Sequence, residues 1–437
     1  MKNIFILFFL FSVIQHFNCG IISLPFKRNI TSNVDETNFY SAQEKNVLYT
    51  SIKIGDPSTT IKLQIKMEQY SFCIRNDSLI YDYSNSESYK ANGERLPRSC
   101  ADYSGIIPSN ESFVLGKENT AIENIKFMLS EKSTFLTEGM LGLRIHENNY
   151  ETNGYGLISQ LKAKKLIDGE IFFLNFDDEG FDGELIIGQY PHLMDRFKEI
   201  YPPYQFKTTN IFIPSYDIDY DLEPRSVYFE ETEYPLRQRL YIRLENGFIK
   251  APAQFEDPAY DIFFQKHVMN KKCSRKDVTI SYYTYICDEY EELDISKFPE
   301  IKFYISDINY NLTLTYEELF TKKDGKVYFM VLFDKRGYNA FWHVGLSFLK
   351  RNKLVFDMDK RLIGIYDKSI KSDNTKEPNY NIVIYVVVII IACLVIIALI
   401  VFIIYKFVWK KRKNRANELL DENYSYDPQN ADPSLNI

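Results

Sequence analysis

Histidine and tryptophan are scarce in this chain, with 5 His and 2 Trp in 437 residues. The histidines, His16, His146, His192, His267 and His343, are scattered, and neither His-Glu-x-x-His nor Gly-x-x-x-x-Gly-Lys occurs. That removes the sequence basis for a zinc-hydrolase helix or a phosphate-cradling loop. "GLSFL" lacks the second glycine of a nucleophile elbow, so a serine or cysteine nucleophile has nothing to lean on. No metal and no cofactor is expected. Cations are not in surplus either: 52 Lys and Arg stand against 59 Asp and Glu, for a formal net charge of -7. A broad basic face for phosphate backbones is therefore missing, and nucleic acid is not an expected partner. Tyr and Phe are abundant, 33 of each, but a compositional bias of that kind says little by itself.

The two ends carry the long apolar runs. Residues 1–20, "MKNIFILFFLFSVIQHFNCG", have one lysine, an apolar stretch and small residues after it, the form of a signal peptide. Residues 382–405, "IVIYVVVIIIACLVIIALIVFIIY", run for 24 positions without a charge, and the cationic "KFVWKKRKNR" follows at once. A run of that length crosses the hydrocarbon as a helix, and cations beyond it favour the cytoplasmic side. The expectation is a single-pass type I membrane protein with a polar stalk at 367–381 and a cytoplasmic tail at 406–437. Tyr424, Tyr426 and the Leu419-Leu420 pair in the tail match no full sorting signal.

Six cysteines fit an oxidising compartment. Cys19 leaves with the signal peptide and Cys393 lies in the apolar span, so four remain. Cys73 with Cys100 and Cys273 with Cys287 are the local pairings, although three connectivities exist on paper. Asn29, Asn76, Asn110 and Asn311 begin Asn-x-Ser/Thr sequons and are glycan candidates outside the membrane.

Between the ends the pattern is short. "LYTSIKI", "SFVLG", "GEIFFLNF", "GELIIGQ", "PEIKFYI" and "KVYFMVLF" have strand length and strand residue types, bordered by Gly, Asp or Asn. One clear helical patch, "GLISQLKAKKLI" at 156–167, stands among them. The fold class is mainly β. "LTEGMLGLRI" and "AFWHVGLSFLK" echo each other with a glycine after two apolar residues, as two related lobes would.

These residues carry a family resemblance. "LYTSIKIGDPSTTIKLQI" resembles the opening strands of pepsin-like aspartic proteases, which lead into the first catalytic Asp-Thr-Gly. "GMLGLRI", "FPEIKFYISDINYNLTLTYEEL" and above all "WHVGLSFLKRNKLVFDMDKRLIGIY" are similar to later parts of that family, the last as its closing strands. The resemblance implies a bilobal pepsin-like double β-barrel ectodomain plus one C-terminal transmembrane helix. A short N-terminal segment at 21–45 would precede a first lobe at 46–195 and a second at 196–366.

Applied without a gap from Tyr49, the resemblance puts the family's first catalytic triplet on Lys66-Met67-Glu68, and the second, in "NGFIKAPAQFEDPAYDIFF", on Lys250-Ala251-Pro252. Neither has its carboxylate. Such proteases need two close Asp that share a proton, and a lysine cannot replace one. Displaced acids at Asp56, Asp77, Asp257 or Asp261 would lie on other elements. The resemblance therefore implies a pseudoprotease, and the N-terminal and C-terminal apolar runs lead to the expectation of the secretory pathway, at the cell surface or in an endolysosomal membrane. Its ectodomain would bind or scaffold, with Lys66 and Lys250 in an interlobe cleft facing a peptide or acidic protein. The alternative is an active aspartic endopeptidase that uses a displaced acid.

Overall fold

The alternating "LYTSIKI" forms the strand Leu48–Ile54, with Leu48, Thr50, Ile52 and Ile54 turned inward. It belongs to a computed structural model that describes residues 20–28, 39–40, 47–69, 71–75, 80–91, 106–117, 119–130, 138–144, 155–177, 180–211, 220–236, 239–290, 293–335, 337, 341–370, 394–395 and 397–415. From this strand a barrel closes. Leu48–Ile54 pairs with Thr59–Lys66, then in turn come Gly139–Gly142, Phe72–Arg75, Thr120–Ser130 and Ile106–Leu115, which returns to Leu48–Ile54 through Lys53 opposite Val114. Closure leaves no strand edge open within the ring. Its interior is filled by Ile52, Ile61, Leu63, Ile65, Phe72, Phe113, Phe127 and Leu141, each worth roughly 1.5–3 kcal/mol of transfer free energy when buried.

A second set of strands runs Phe206–Asn210, Leu362–Tyr366, Lys353–Asp357, Ile171–Phe176, Gly183–Ile187 and Ile22–Arg28, all antiparallel. Strands from early and late in the chain thus share one sheet. The 21–45 segment takes part in it, because Ile22–Arg28 pairs with both Gly183–Ile187 and Leu48–Ile54.

The later half builds its own sheet in the order Asp221–Leu222, Leu240–Ile242, Trp342–Val344, Ile249–Ala251, Val331–Asp334, Tyr282–Asp288, Lys326–Phe329 and Phe320–Lys323. A four-stranded sheet of Thr232–Pro235, Ser226–Phe229, Ile301–Ile305 and Tyr310–Leu314 accompanies it. Trp342, fully buried, packs against Phe229, Phe255 and Phe303 in this half. Cys273 and Cys287 face each other on paired strands and form the expected disulfide. Cys73 is also disulfide-bonded, and its expected partner Cys100 lies outside the described residues.

Several elements differ from the sequence expectation. "KVYFMVLF" becomes two strands that change partner at Met330: Lys326–Phe329 pairs with Phe320–Lys323, and Val331–Asp334 pairs with Ile249–Ala251. "GLSFLK", expected among the closing strands, is the helix Leu346–Arg351, with Leu346, Phe348 and Leu349 buried and the Asn352 side chain donating to the Phe348 carbonyl. The expected helix at 156–167 is shorter, Leu157–Ala163, and Lys165 just beyond it has a left-handed φ of 59°. The region after residue 200, from which the sequence expectation names no strand, supplies Phe206–Asn210, Asp221–Leu222, Ser226–Phe229 and Thr232–Pro235.

Residues 372–437 form a separate unit. Its described part is helical and includes exposed Leu399, Phe402 and Trp409. Among the described residues no helix is long and apolar enough to cross a membrane, and residues 382–393 and 396 of the 382–405 run expected to do so lie outside them.

Candidate functional site

Each half contains a strand, a tight loop and a return strand wrapped around one short central strand. In the first half Thr59–Lys66 runs parallel to Gly139–Gly142, with Lys66 opposite Gly142, and the chain returns as Phe72–Arg75 antiparallel to the same strand. Leu143 donates its N–H to the Lys66 carbonyl at 2.8 Å and Arg144 to that of Gln69 at 2.9 Å. In the second half Leu240–Ile242 runs parallel to Trp342–Val344, and Ile249–Ala251 returns antiparallel, with Lys250 opposite His343.

Glycine fixes how the two loops correspond. A Cβ on Gly142 would sit 2.4 Å from the Gln69 carbonyl oxygen, and one on Gly345 would sit 1.9 Å from that of Asn246. Both central strands must therefore end in glycine where the loop presses on them. Matching Gly142 with Gly345 and Gln69 with Asn246 matches Lys66 with Arg243, Met67 with Leu244 and Glu68 with Glu245, without a gap. Lys250 then stands on the return strand, level with Cys73. The structure does not give Lys66 and Lys250 equivalent places. The sequence did hold the clue: "KMEQ" and "RLEN" are both basic, apolar, acidic, amide. It was obscured by the more prominent apolar pattern around Lys250.

The electrostatics follow from these positions. Lys66 Nζ is 3.8 Å from Glu68 Oε1, with both side chains partly exposed. Arg243 and Arg239 approach the two oxygens of the fully buried Asp221 at 3.9 and 3.8 Å. The Arg243 guanidinium also lies 4.9 Å from the Tyr241 ring, and Tyr241 stacks on His343 at 4.9 Å. Burial, with Arg243 and Lys250 nearby, pushes the His343 imidazole down to about 4, so it is neutral at neutral pH. Lys250 Nζ is 5.3 Å from the Tyr282 ring.

Near the two wrapped loops, two side chains bridge the halves. The Glu245 carboxylate accepts from the backbone N–H groups of Met67 at 2.7 Å and Glu68 at 3.3 Å. Its other oxygen is buried without a hydrogen-bond partner among the described residues, and burial, then the nearby Glu68 charge, raises its pKa. The Tyr220 hydroxyl donates to the Leu143 carbonyl. Of the displaced acids, Asp56, Asp257 and Asp261 are exposed on a turn and on helical turns, and Asp77 lies outside the described residues. Among the described residues no cluster of three or more His, Cys, Asp or Glu is set to hold a metal ion.

No family model and no curated protein matches the chain. Among solved structures, the crystal structure of Basic 7S globulin from soybean is similar, with a TM-score of 0.59 and 13% identity over 81% of this chain and 98% of that one. The fold is pepsin-like. At that identity the likeness extends to the fold alone. The two wrapped loops of this pepsin-like fold present Lys66 and Arg243 at matched positions, and neither loop presents a carboxylate there.

Proposed function

We propose that this chain is a membrane-anchored pseudoprotease with a pepsin-like ectodomain that binds a peptide or an acidic protein and does not hydrolyse it. The observation that carries the reading is the register match of Lys66 with Arg243. Aspartic hydrolysis needs two carboxylates close enough to share one proton, one activating water and the other protonating the substrate carbonyl. Two cations at those places can do neither. They favour an anion instead, and Lys250, one strand further along, extends the cationic row.

One observation favours the alternative of a displaced acid, since Glu68 and Glu245 are themselves matched and near enough to interact. Their present bonds weigh against it. Glu245 is committed to two backbone N–H groups and Glu68 lies beside Lys66.

The reading places residues 1–20 as a signal peptide, 382–405 across a membrane of the secretory pathway, cell surface or endolysosome, and 406–437 in the cytoplasm. The charge-free run and the cations after it support this. Of the sequons, Asn311 is exposed on a strand, whereas Asn29 and Asn76 lie outside the described residues and the Asn110 side-chain oxygen is buried.

The test presents a library of acidic and neutral extended peptides to the full-length chain in detergent and to the Lys66→Ala/Lys250→Ala and Arg243→Lys variants. Retention of acidic peptides that the double variant loses supports the reading. Equal retention by all three proteins removes it.

A further inference from the structure

Phe39 and Tyr40 belong to the stretch between the strands Ile22–Arg28 and Leu48–Ile54, yet they pack on the sheet of the second half. Phe39 stacks on Tyr328 with centroids 4.0 Å apart, and Tyr40 meets Phe248 at 5.2 Å. The Tyr40 hydroxyl donates to the Phe329 carbonyl at 3.3 Å. The two residues are 1% and 6% exposed, in a pocket of Phe248, Ile286, Tyr328, Met330 and Leu332.

That pocket adjoins the cationic row. Strand register sets Tyr241 beside His343, His343 beside Lys250, and Lys250 beside Leu332. Cross-strand partners share a face of the sheet, so these four side chains lie on the pocket's side. The opposite face of the same strands, with Ile249, Ala251, Val331 and Phe333, belongs to the core. Lys250, over the Tyr282 ring, marks the boundary between cations and pocket.

The occupant has the composition of a peptide ligand. In "NITSNVDETNFYSAQEKN", residues 29–46, Phe39 and Tyr40 are the only aromatic residues, and Asp35, Glu36 and Glu44 flank them. Two adjacent rings carry the apolar contact, and acids stand on both sides in sequence.

We propose that this face is a docking site for an acidic polypeptide segment bearing two adjacent aromatic residues, with Phe39–Tyr40 as its built-in occupant, exchangeable for that of a partner. The inference deepens the binding reading above and rests on it. It names the ligand class and adds competition within the chain.

The probe is a fluorescent peptide with the sequence of residues 33–46, offered to the full-length chain in detergent. A Phe39→Ala/Tyr40→Ala variant, with its pocket vacated, should bind the probe at least tenfold more tightly than the unmodified chain. Adding Leu332→Glu to that variant should remove the gain. Equal binding by the unmodified and vacated proteins overturns the proposal, as does a gain that survives Leu332→Glu. If the vacated variant fails to fold, amide exchange of the unmodified chain decides: excess probe should speed exchange at Phe39 and Tyr40 while 328–332 stay protected, and no change overturns the proposal. A probe that is bound and cut would remove the non-catalytic reading but leave the docking site standing. A probe neither bound nor cut would do the reverse.

Discussion

The Glu245 carboxylate, in the second half of the chain, accepts the backbone N–H of Met67, in the first, at 2.7 Å. It stands where the loop of the first half has Glu68, so one of two matched acids has become a tie between the halves. Glu245→Ala should lower the unfolding free energy by about 2–3 kcal/mol, because it strips a carboxylate acceptor from two backbone donors. Glu245→Gln keeps an acceptor and should cost less than about 1.5 kcal/mol. Urea denaturation of the three proteins checks both values.

The same group has a pH signature. Burial and the neighbouring Glu68 raise its folded pKa. Its contribution to stability is thus full below the ordinary glutamate value of about 4.3 and is lost as pH rises through the raised value. A protonated carboxyl still accepts through Oε1, which keeps the tie intact at low pH. Glu245→Gln should flatten this part of the stability profile, and a profile unchanged by the substitution would contradict the assignment.

His343 acts with the opposite sign. Its imidazole is pushed down to about 4 by burial, then by Arg243 and Lys250. The stability it contributes is present above the ordinary histidine value of about 6.5 and is lost as pH falls toward 4, by roughly 2–4 kcal/mol in all. His343→Gln should remove that slope in urea titrations between pH 7 and 4. The His343 resonance, assigned by its loss in His343→Gln, would contradict this if it titrated near 6.5 in the folded protein.

Most of the strand framework was legible in the sequence, because alternation in "LYTSIKI" and the glycine after apolar pairs in "GMLG" and "WHVG" report on local geometry. The site was half legible. Lys66 follows an unbroken strand register, but the second loop had to be found without its acid, and "NGFIKAP" offered a stronger apolar pattern than "YIRLEN". What separates them is strand pairing, which is non-local: Arg243 is defined by Ile242 lying opposite Val344, about a hundred residues away. The place of Phe39 and Tyr40 was equally hidden, since nothing in a polar segment says which distant sheet its two rings will cover.

Arg243 also keeps Asp221 in balance. Arg243→Ala should lower stability by about 1–3 kcal/mol, less than the full loss of a buried pair because Arg239 remains 3.8 Å from the same carboxylate. Combining it with Arg239→Ala should cost more than the two single changes added, which a double-mutant cycle measures.

The Cys273–Cys287 bridge closes a loop with a sequence separation of 14. Replacing both with serine should lower the unfolding free energy by about 3 kcal/mol on the chain-entropy account. Thermal unfolding of the two proteins without reductant gives the comparison, because reductant would also open the disulfide at Cys73.

The central claim is that two cations have replaced the acid pair and that the chain does not cut peptides. Its most direct test incubates the full-length protein with a diverse peptide mixture from pH 3 to 7 and reads the products by mass spectrometry. The account predicts no new termini beyond those seen with a heat-inactivated sample. New termini that appear at acid pH and vanish with Glu245→Gln or with a statine-type inhibitor would contradict it.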